Sequence, residues 1–324
     1  MRKNLSQQAT KQRNKLGILD TIRRSSHISQ AHIAQELRLR PSTVSNLSRE
    51  LMQQGLIEIS GKGEPGKNGG KRSQLLSLSS NFASFSGIYI HQDHIVSHLI
   101  DLQGNIQETA AKSFGIDTPD TVTDIITAEI ARHEGVCANY RGAGIAVSSV
   151  VSSQGDVSTS PDFPWEIAGF TGKLSARTGS RFPIAVENDA NCAAVYMYHA
   201  FKQRYRNLML FLYSHTHRSL GAGIVVDGKL YRGSRGDAGE IIHQEKLDIV
   251  SSFSAYITRL GTFFSPDHIV LLGDDSAGTA TLSEIHGRVC AEVTAFPVTL
   301  QVDPNLPVLG AAHIVSHMFT RSVV

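Results

Sequence analysis

The chain has 324 residues, enough for two or three domains, and its 41% apolar and 19% charged content is ordinary for a globular protein. No apolar run reaches the length of a membrane span, and the basic, polar start lacks a signal-peptide core, so neither membrane insertion nor export is expected. Three dispersed cysteines (Cys137, Cys192, Cys290) exclude a disulfide framework or a Cys-x-x-Cys knuckle and fit a reduced cytoplasmic compartment.

The net charge of +2 conceals an asymmetry. Residues 1–80 carry 14 Lys and Arg against 5 Asp and Glu, and the remainder carries 17 against 24, so a head of +9 precedes a body of −7. A basic end of this kind suggests nucleic-acid binding.

In the head, "NKLGILDTIRRS" (14–25) sets Leu16, Leu19 and Ile22 at helical spacing. "SQAHIAQEL" follows, with Ser29 as N-cap and Ile33, Ala34 and Leu37 as its apolar stripe. "PSTVSNLSRELMQQG" begins on Pro41, suited to a first helical turn, and ends at Gly55, with Val44, Leu47 and Leu51 inward. "LIEIS" and "SQLLSLS" read as strands flanking the basic, glycine-rich loop "GKGEPGKNGGKR". Three helices and a hairpin in this order predict a winged helix-turn-helix over residues 1–80. Its third helix presents Ser42, Thr43, Ser45, Asn46 and Arg49, short polar groups and one long donor, as a helix in a major groove requires. Lys62, Lys67, Lys71 and Arg72 on the loop can reach phosphates or a minor groove of double-stranded operator DNA.

From residue 85 strands and helices alternate. "FSGIYIHQDHIVSHLIDLQGNIQ" reads as a strand meander turning at Gly104-Asn105, and "TPDTVTDIITAEIARHE" as an amphipathic helix. "GAGIAVSSVVSSQGDV" is a buried strand with its exit loop, and "FPIAVENDANCAAVYMYHAF" a strand running into a helix. "NLMLFLYSHTHRSLGAGIVVDGKLY" is a hairpin and "HIVLLG" a further buried strand. The alternation predicts two α/β lobes over residues 81–324, with a ligand between them.

Three stretches of the body bear on chemistry. In "ENDANCAA", Asn188, Asp189 and Asn191 stand at a strand-to-helix junction, where they can bond sugar hydroxyls, Asp189 can act as a base, or the group can simply cap the helix. The glycines of "LGAGIVVDGKLYRGSRGDAGE" permit close backbone approach to a ligand. Glu240 and His243 share a helical face if "DAGEIIHQEKLD" is a helix; such a pair can bind a metal, hold a sugar, transfer a proton, or be a solvated turn.

In this order these segments resemble the ROK family (repressors, open reading frames, sugar kinases). "ENDANCAA" is similar to its Asn-Asp-Ala-Asn motif and "GAGIVVDGKLYRGSRGDAGEIIH" to its glycine-rich segment and Glu-x-Gly-His signature, while "SPDFPWEIAGF", "PDHIVLLG" and "LPVLGAAHIVSH" resemble its linking and closing segments. With the winged head and its "GGKR" arm, the resemblance points to the repressor branch, the relatives of xylose and N-acetylglucosamine repressors. It implies an actin-like, hexokinase-type two-lobe fold with a sugar in the cleft. By position, Asn188 and Asp189 would contact sugar hydroxyls, with Asp189 at the place of the kinases' base. Glu240 would contact the sugar, and His243 would contact the sugar and ligate a structural zinc.

The departures from the family pattern bear on activity. Where the kinases carry Asp-x-Gly-Gly-Thr to cradle ATP phosphates, this chain has "YIHQD", with Tyr89 at the aspartate position; the second phosphate loop reads "SHTHRSLG". The cysteine cluster that closes the family's zinc site after the histidine is absent, the signature glycine is Ile242, and the second lobe is shortened. The expectation is therefore a transcriptional regulator of carbohydrate genes, a repressor acting as a homodimer or tetramer. It would have no enzyme activity and no zinc or other cofactor, and would take a sugar or sugar-phosphate effector if the altered cleft still binds one. The alternatives are an ATP-dependent sugar kinase and a regulator controlled by a protein partner.

Overall fold

Polar helix formers extend the first helix of the head well beyond its apolar stripe. In the computed structural model, which describes residues 2–63, 72–91, 93–113, 118–160, 163–202, 204–241, 248–273 and 277–324, α1 (Arg2–Ser25) starts twelve residues before the apolar spacing that predicted it. Ile18, Leu19 and Ile22 are fully buried, whereas Leu16 is half-buried. A two-residue strand that the sequence did not reveal, β1 (Ile28–Ser29), leads into α2 (Gln30–Glu36), whose N-cap Ser29 accepts from the His32 amide at 3.3 Å. α3 (Pro41–Gln53) has Pro41 in its first turn and buries Val44, Leu47 and Leu51. The hairpin β2 (Ile57–Lys62) and β3 (Gln74–Leu78) completes a three-stranded sheet of order β1-β3-β2.

The body repeats one topology twice. In the first lobe β4 (Ser84–Ile90), β5 (His94–Asp101) and β6 (Ile106–Ser113) form the antiparallel meander, turning at Gly104. α4 (Pro119–Val136), capped by Thr118, crosses to β7 (Tyr140–Val147), and α5 (Phe170–Arg177) to β8 (Ile184–Asn188), which runs into α6 (Asp189–Ala200). The second lobe has β9 (Leu208–Ser214), β10 (Ser219–Val226), β11 (Lys229–Leu230), α7 (Ile249–Phe264), β12 (His268–Gly273), α8 (Thr279–Glu292) and β13 (Val298–Val302), before α9 (Leu306–Val323). The sheet orders, β6-β5-β4-β7-β8 and β11-β10-β9-β12-β13, are the same pattern, three antiparallel strands followed by two parallel ones. This duplication is the actin-like architecture expected from the sequence. Only residues 241–248 separate Glu240 from α7, in keeping with the shortened second lobe.

Head and body share one core. Ile18, Leu19, Ile22 and Leu51 of the head belong to the same apolar cluster as Leu309, Val315 and Phe319 of α9, and Phe319 packs on Phe82 and Phe85 at ring separations of 6.1 and 5.5 Å. Among the described residues no helix is long and apolar enough to cross a membrane.

One buried charge pins the first lobe. Glu129 of α4 is wholly inaccessible, and its carboxylate accepts from Ser97 Oγ at 2.6 Å, from Arg132 at 2.5 Å and from Lys112. Burial opposes its ionisation, but these hydrogen bonds together outweigh burial and hold its pKa at about 2, below the ordinary 4.5. The stabilisation is complete above pH 4.5 and fades as pH falls toward 2. Glu129→Gln should cost about 3 kcal/mol at pH 7, the lower end for a broken buried pair because both cationic partners are partly solvated. Urea unfolding between pH 7 and 3 should show this difference shrinking below pH 4.5.

Candidate functional site

Two surfaces bring together the residues singled out from the sequence. The first is the exposed side of α3. The Pro41 start and the Val44, Leu47 and Leu51 stripe turn the other face outward, so Ser42, Asn46 and Arg49 are exposed and Thr43 and Ser45 are half-buried beside them. An open groove runs between Gln30 and Ala31 of α2 and Pro41, Ser42 and Ser45 of α3. α3 is braced from behind by Glu50, which pairs with Lys11 at 2.8 Å and Lys15 at 3.1 Å on α1. Lys62 closes β2 and Arg72 precedes β3, both exposed; Lys67 and Lys71 lie outside the described residues.

The second is the junction of β8 and α6, at the carboxyl end of the first sheet, where open α/β sheets bind ligands. Asn188 is the N-cap of α6: its Oδ1 accepts from the Asn191 amide at 3.0 Å, and its Nδ2 donates to Ser149 O at 3.2 Å. The capping alternative is thus realised, with one N–H and one lone pair of the side chain to spare. Asp189 follows, 7% exposed. Its Oδ1 accepts from the Ala190 amide at 2.7 Å, and its Oδ2 from Tyr89 Oη at 2.8 Å and from Ser148 Oγ. Tyr89, itself buried, therefore places a donor on the carboxylate that stands at the base position of the resemblance.

Glu240 comes from the other lobe. Gly239 adopts φ +98°, and a Cβ there would lie 1.8 Å from Ala222 O, so only glycine lets the segment run against β10. Glu240 then pairs with Gly221, which lies against Ala190 at the start of α6. The residue is exposed, yet its carboxyl is pushed up to about 6, by loss of surrounding water and by the charges of Asp189 and Asp237. His243 lies outside the described residues, so the Glu240/His243 pairing is not described.

Four further residues join this site that the sequence reading did not assign to it. Glu187 accepts from Arg232 Nε at 2.5 Å, from Asn191 Nδ2 at 3.0 Å and from the Asn188 amide at 3.0 Å. Arg232 follows β11 and Glu187 lies on β8, so this ion pair ties the lobes together next to Asp189. Ser148 follows β7, and Tyr89, noted as a departure, is a site residue. Glu187 adjoins the Asn-Asp motif and was within reach of sequence reasoning; the partners of Ser148 and Arg232 depend on tertiary structure. For the family's zinc the donor set does not fit. The one cysteine after His243 is Cys290, on α8 with Sγ 3.4 Å from His286 Nε2, so no cluster of thiolates follows the histidine.

The comparisons with known proteins agree with this layout. The model of the ROK family matches residues 85–249, and that of the MarR family residues 12–60. The xylose repressor of Staphylococcus xylosus is 26% identical over 279 residues, 84% of this chain and 71% of that protein. The chain spans 58% of the length of the xylose repressor of Caldicellulosiruptor bescii and of a protein named putative xylose repressor from a second Caldicellulosiruptor strain. Among solved structures, a ROK family transcriptional regulator, a homolog of the E. coli MLC protein, superposes with a TM-score of 0.71 at 18% identity, covering 97% of this chain and 99% of that one. A ROK family glucokinase from Streptomyces griseus, in complex with glucose and AMPPNP, has a TM-score of 0.58 at 18% identity over 72% of this chain and 99% of its own. At these identities the structural likenesses establish the fold alone.

The coupling of carboxylates is open to direct measurement. A carboxyl-carbon NMR titration of Glu240 should give a midpoint near 6. In Asp189→Asn the midpoint should fall but stay above 4.5, because the loss of surrounding water, the larger cause, remains.

Proposed function

The chain belongs to the ROK family, and from that premise we propose that it is a DNA-binding transcriptional repressor of carbohydrate genes that responds to a sugar. Residues 1–80 form the operator-binding unit and residues 81–324 the effector and oligomerisation unit. The observation that carries the reading is the face of α3: Ser42, Asn46 and Arg49 exposed together beside a basic hairpin, on a head that matches a second family model over residues 12–60. The names of the relatives, xylose repressors, support both the repression and the class of effector. Repression calls for two heads on a pseudo-palindromic operator, so the working form is a homodimer or larger even oligomer in the cytoplasm.

In the body, Asn188, Asp189 and Glu240 would hold sugar hydroxyls, with Glu187 and Arg232 fixing the spacing of the lobes. The chain does not transfer phosphate in this reading. The place of the kinases' phosphate-binding aspartate is taken by Tyr89, whose hydroxyl is spent on Asp189. A bulky phenol replaces a phosphate cradle, and the carboxylate that would take a substrate proton is held by two hydroxyls and an amide. The rival reading, a sugar kinase with an added head, draws on the fold shared with the glucokinase and on the presence of Asp189. Control by a protein partner is the third, and the absence of any sugar effect on operator binding would favour it.

Selection of genomic fragments by the purified full chain tests the proposal: enrichment of sites beside carbohydrate genes is expected, and no sequence enrichment would overturn it. On an enriched site, Asn46→Ala or Arg49→Ala should cost about 1–3 kcal/mol and relax preference at one base position. Lys62→Ala or Arg72→Ala should weaken all sequences alike and reduce the salt slope by about one unit.

A further inference from the structure

The head is fastened to the body through a seam of histidines and one arginine that nothing in the site described above requires. Arg23 of α1 donates from Nη1 to His317 Nε2 at 2.6 Å and from Nη2 to Thr320 Oγ1 at 3.2 Å, both on α9. The His317 ring lies 4.6 Å from that of His199 on α6, and His199 stacks on His313 of α9 at 5.6 Å with an interplanar angle of 16°. Arg23 can only donate, so His317 must present a bare Nε2 and be neutral. Burial, followed by the neighbouring Arg23 charge, pushes the His317 pKa far below its ordinary range, which keeps it so.

His199 stands at the last turn of the helix that begins with Asp189. Ten residues at 1.5 Å each put the two about 15 Å apart along one rigid rod. At the other side of the seam, α1 carries Lys11 and Lys15, whose ion pairs hold Glu50 next to Arg49 on the recognition helix. A continuous set of contacts therefore runs from Asp189 through α6 to His199, His317 and Arg23, and on through α1 to α3.

We propose that α6 is the transmission rod of the protein, and that the His199–His317–Arg23 seam is the joint through which a change at Asp189 repositions the recognition helix. The proposal deepens the regulatory reading and rests on it. It assigns His317 and His199 as positioning residues, acting through Arg23 and α6. The Arg23–His317 bond is directional, whereas the apolar core that Ile18, Leu19 and Ile22 share with Val315 and Phe319 is not and holds the head whichever way that bond points.

The test needs neither a sugar nor an operator. Amide hydrogen exchange is followed in the full-length protein for peptides covering α1 and α3, with α8 as the internal reference. The variants are Asp189→Ala, His317→Leu, the double variant, and Asp189→Ala with His317→Gln. Asp189→Ala should change exchange in α1 and α3 by about threefold or more. That change should vanish with His317→Leu and persist with His317→Gln, whose amide oxygen can accept from Arg23. Tyr89→Phe, which removes a single hydroxyl from Asp189, runs in parallel under the same criterion in case Asp189→Ala disturbs folding. If neither cleft variant alters α1 and α3 relative to α8, or if either alters them equally with and without His317→Leu, the proposal is overturned. A chain that enriches no DNA sequence would overturn the functional reading instead, and the two failures are read from separate experiments.

Discussion

The structure depends on how closely α9 approaches its neighbours. A Cβ on Gly144 of β7 would sit 1.9 Å from Ala311 O, and one on Gly310 would sit 1.8 Å from Cys192 O of α6. Backbone meets backbone at both places, and no side chain larger than hydrogen fits without displacing a strand or a helix. This packing locks the first half of α9 between the first sheet and α6. Its second half then projects into the head, where Val315 and Phe319 complete the apolar core around Ile18, Leu19 and Ile22. One helix thus fixes the first lobe, the start of α6 and the head in a single frame, so the position of Asp189 and the position of the recognition helix are not independent.

Within that frame, the partners of Asp189 support the proposed reading of a binding cleft over phosphoryl transfer. A carboxylate serves as a base only if it faces the proton to be removed and is free to take it. Asp189 has both oxygens engaged, one by the Ala190 amide and one by the hydroxyls of Tyr89 and Ser148. Glu240, drawn in from the other lobe, has its carboxyl raised toward neutrality by loss of surrounding water and by the charges of Asp189 and Asp237. A polyol would satisfy these groups through hydrogen bonds alone. In the proposed reading, such a cleft would report a sugar through its shape.

Much of this was legible in the sequence. Ser29, Pro41 and the spacing of Val44, Leu47 and Leu51 marked the helices of the head because capping and burial are local, periodic demands. The ordered ROK segments marked the duplicated lobes for the same reason: each strand and crossover carries its own apolar run. The twelve-residue extension of α1 was hidden because a largely polar stretch has no apolar periodicity to detect, and β1 was hidden because two residues carry no pattern. The Glu187–Arg232 bridge and the histidine seam join residues 45 and 118 positions apart, distances at which neither spacing nor composition speaks. The pair to which the resemblance assigned sugar contact, Glu240 with His243, is described only at Glu240, whose carboxyl feels the charge of Asp189 from the other lobe.

The most direct measurement is the dissociation constant of the full chain for its selected operator, with and without D-xylose or D-glucose, in the presence of magnesium and ATP, scoring sugar phosphate in the same samples. The account predicts that one of these sugars changes the constant by about tenfold, near 1.4 kcal/mol, while no sugar phosphate forms. Sugar phosphate that accumulates and disappears with Asp189→Ala, with operator affinity indifferent to sugar, would contradict it.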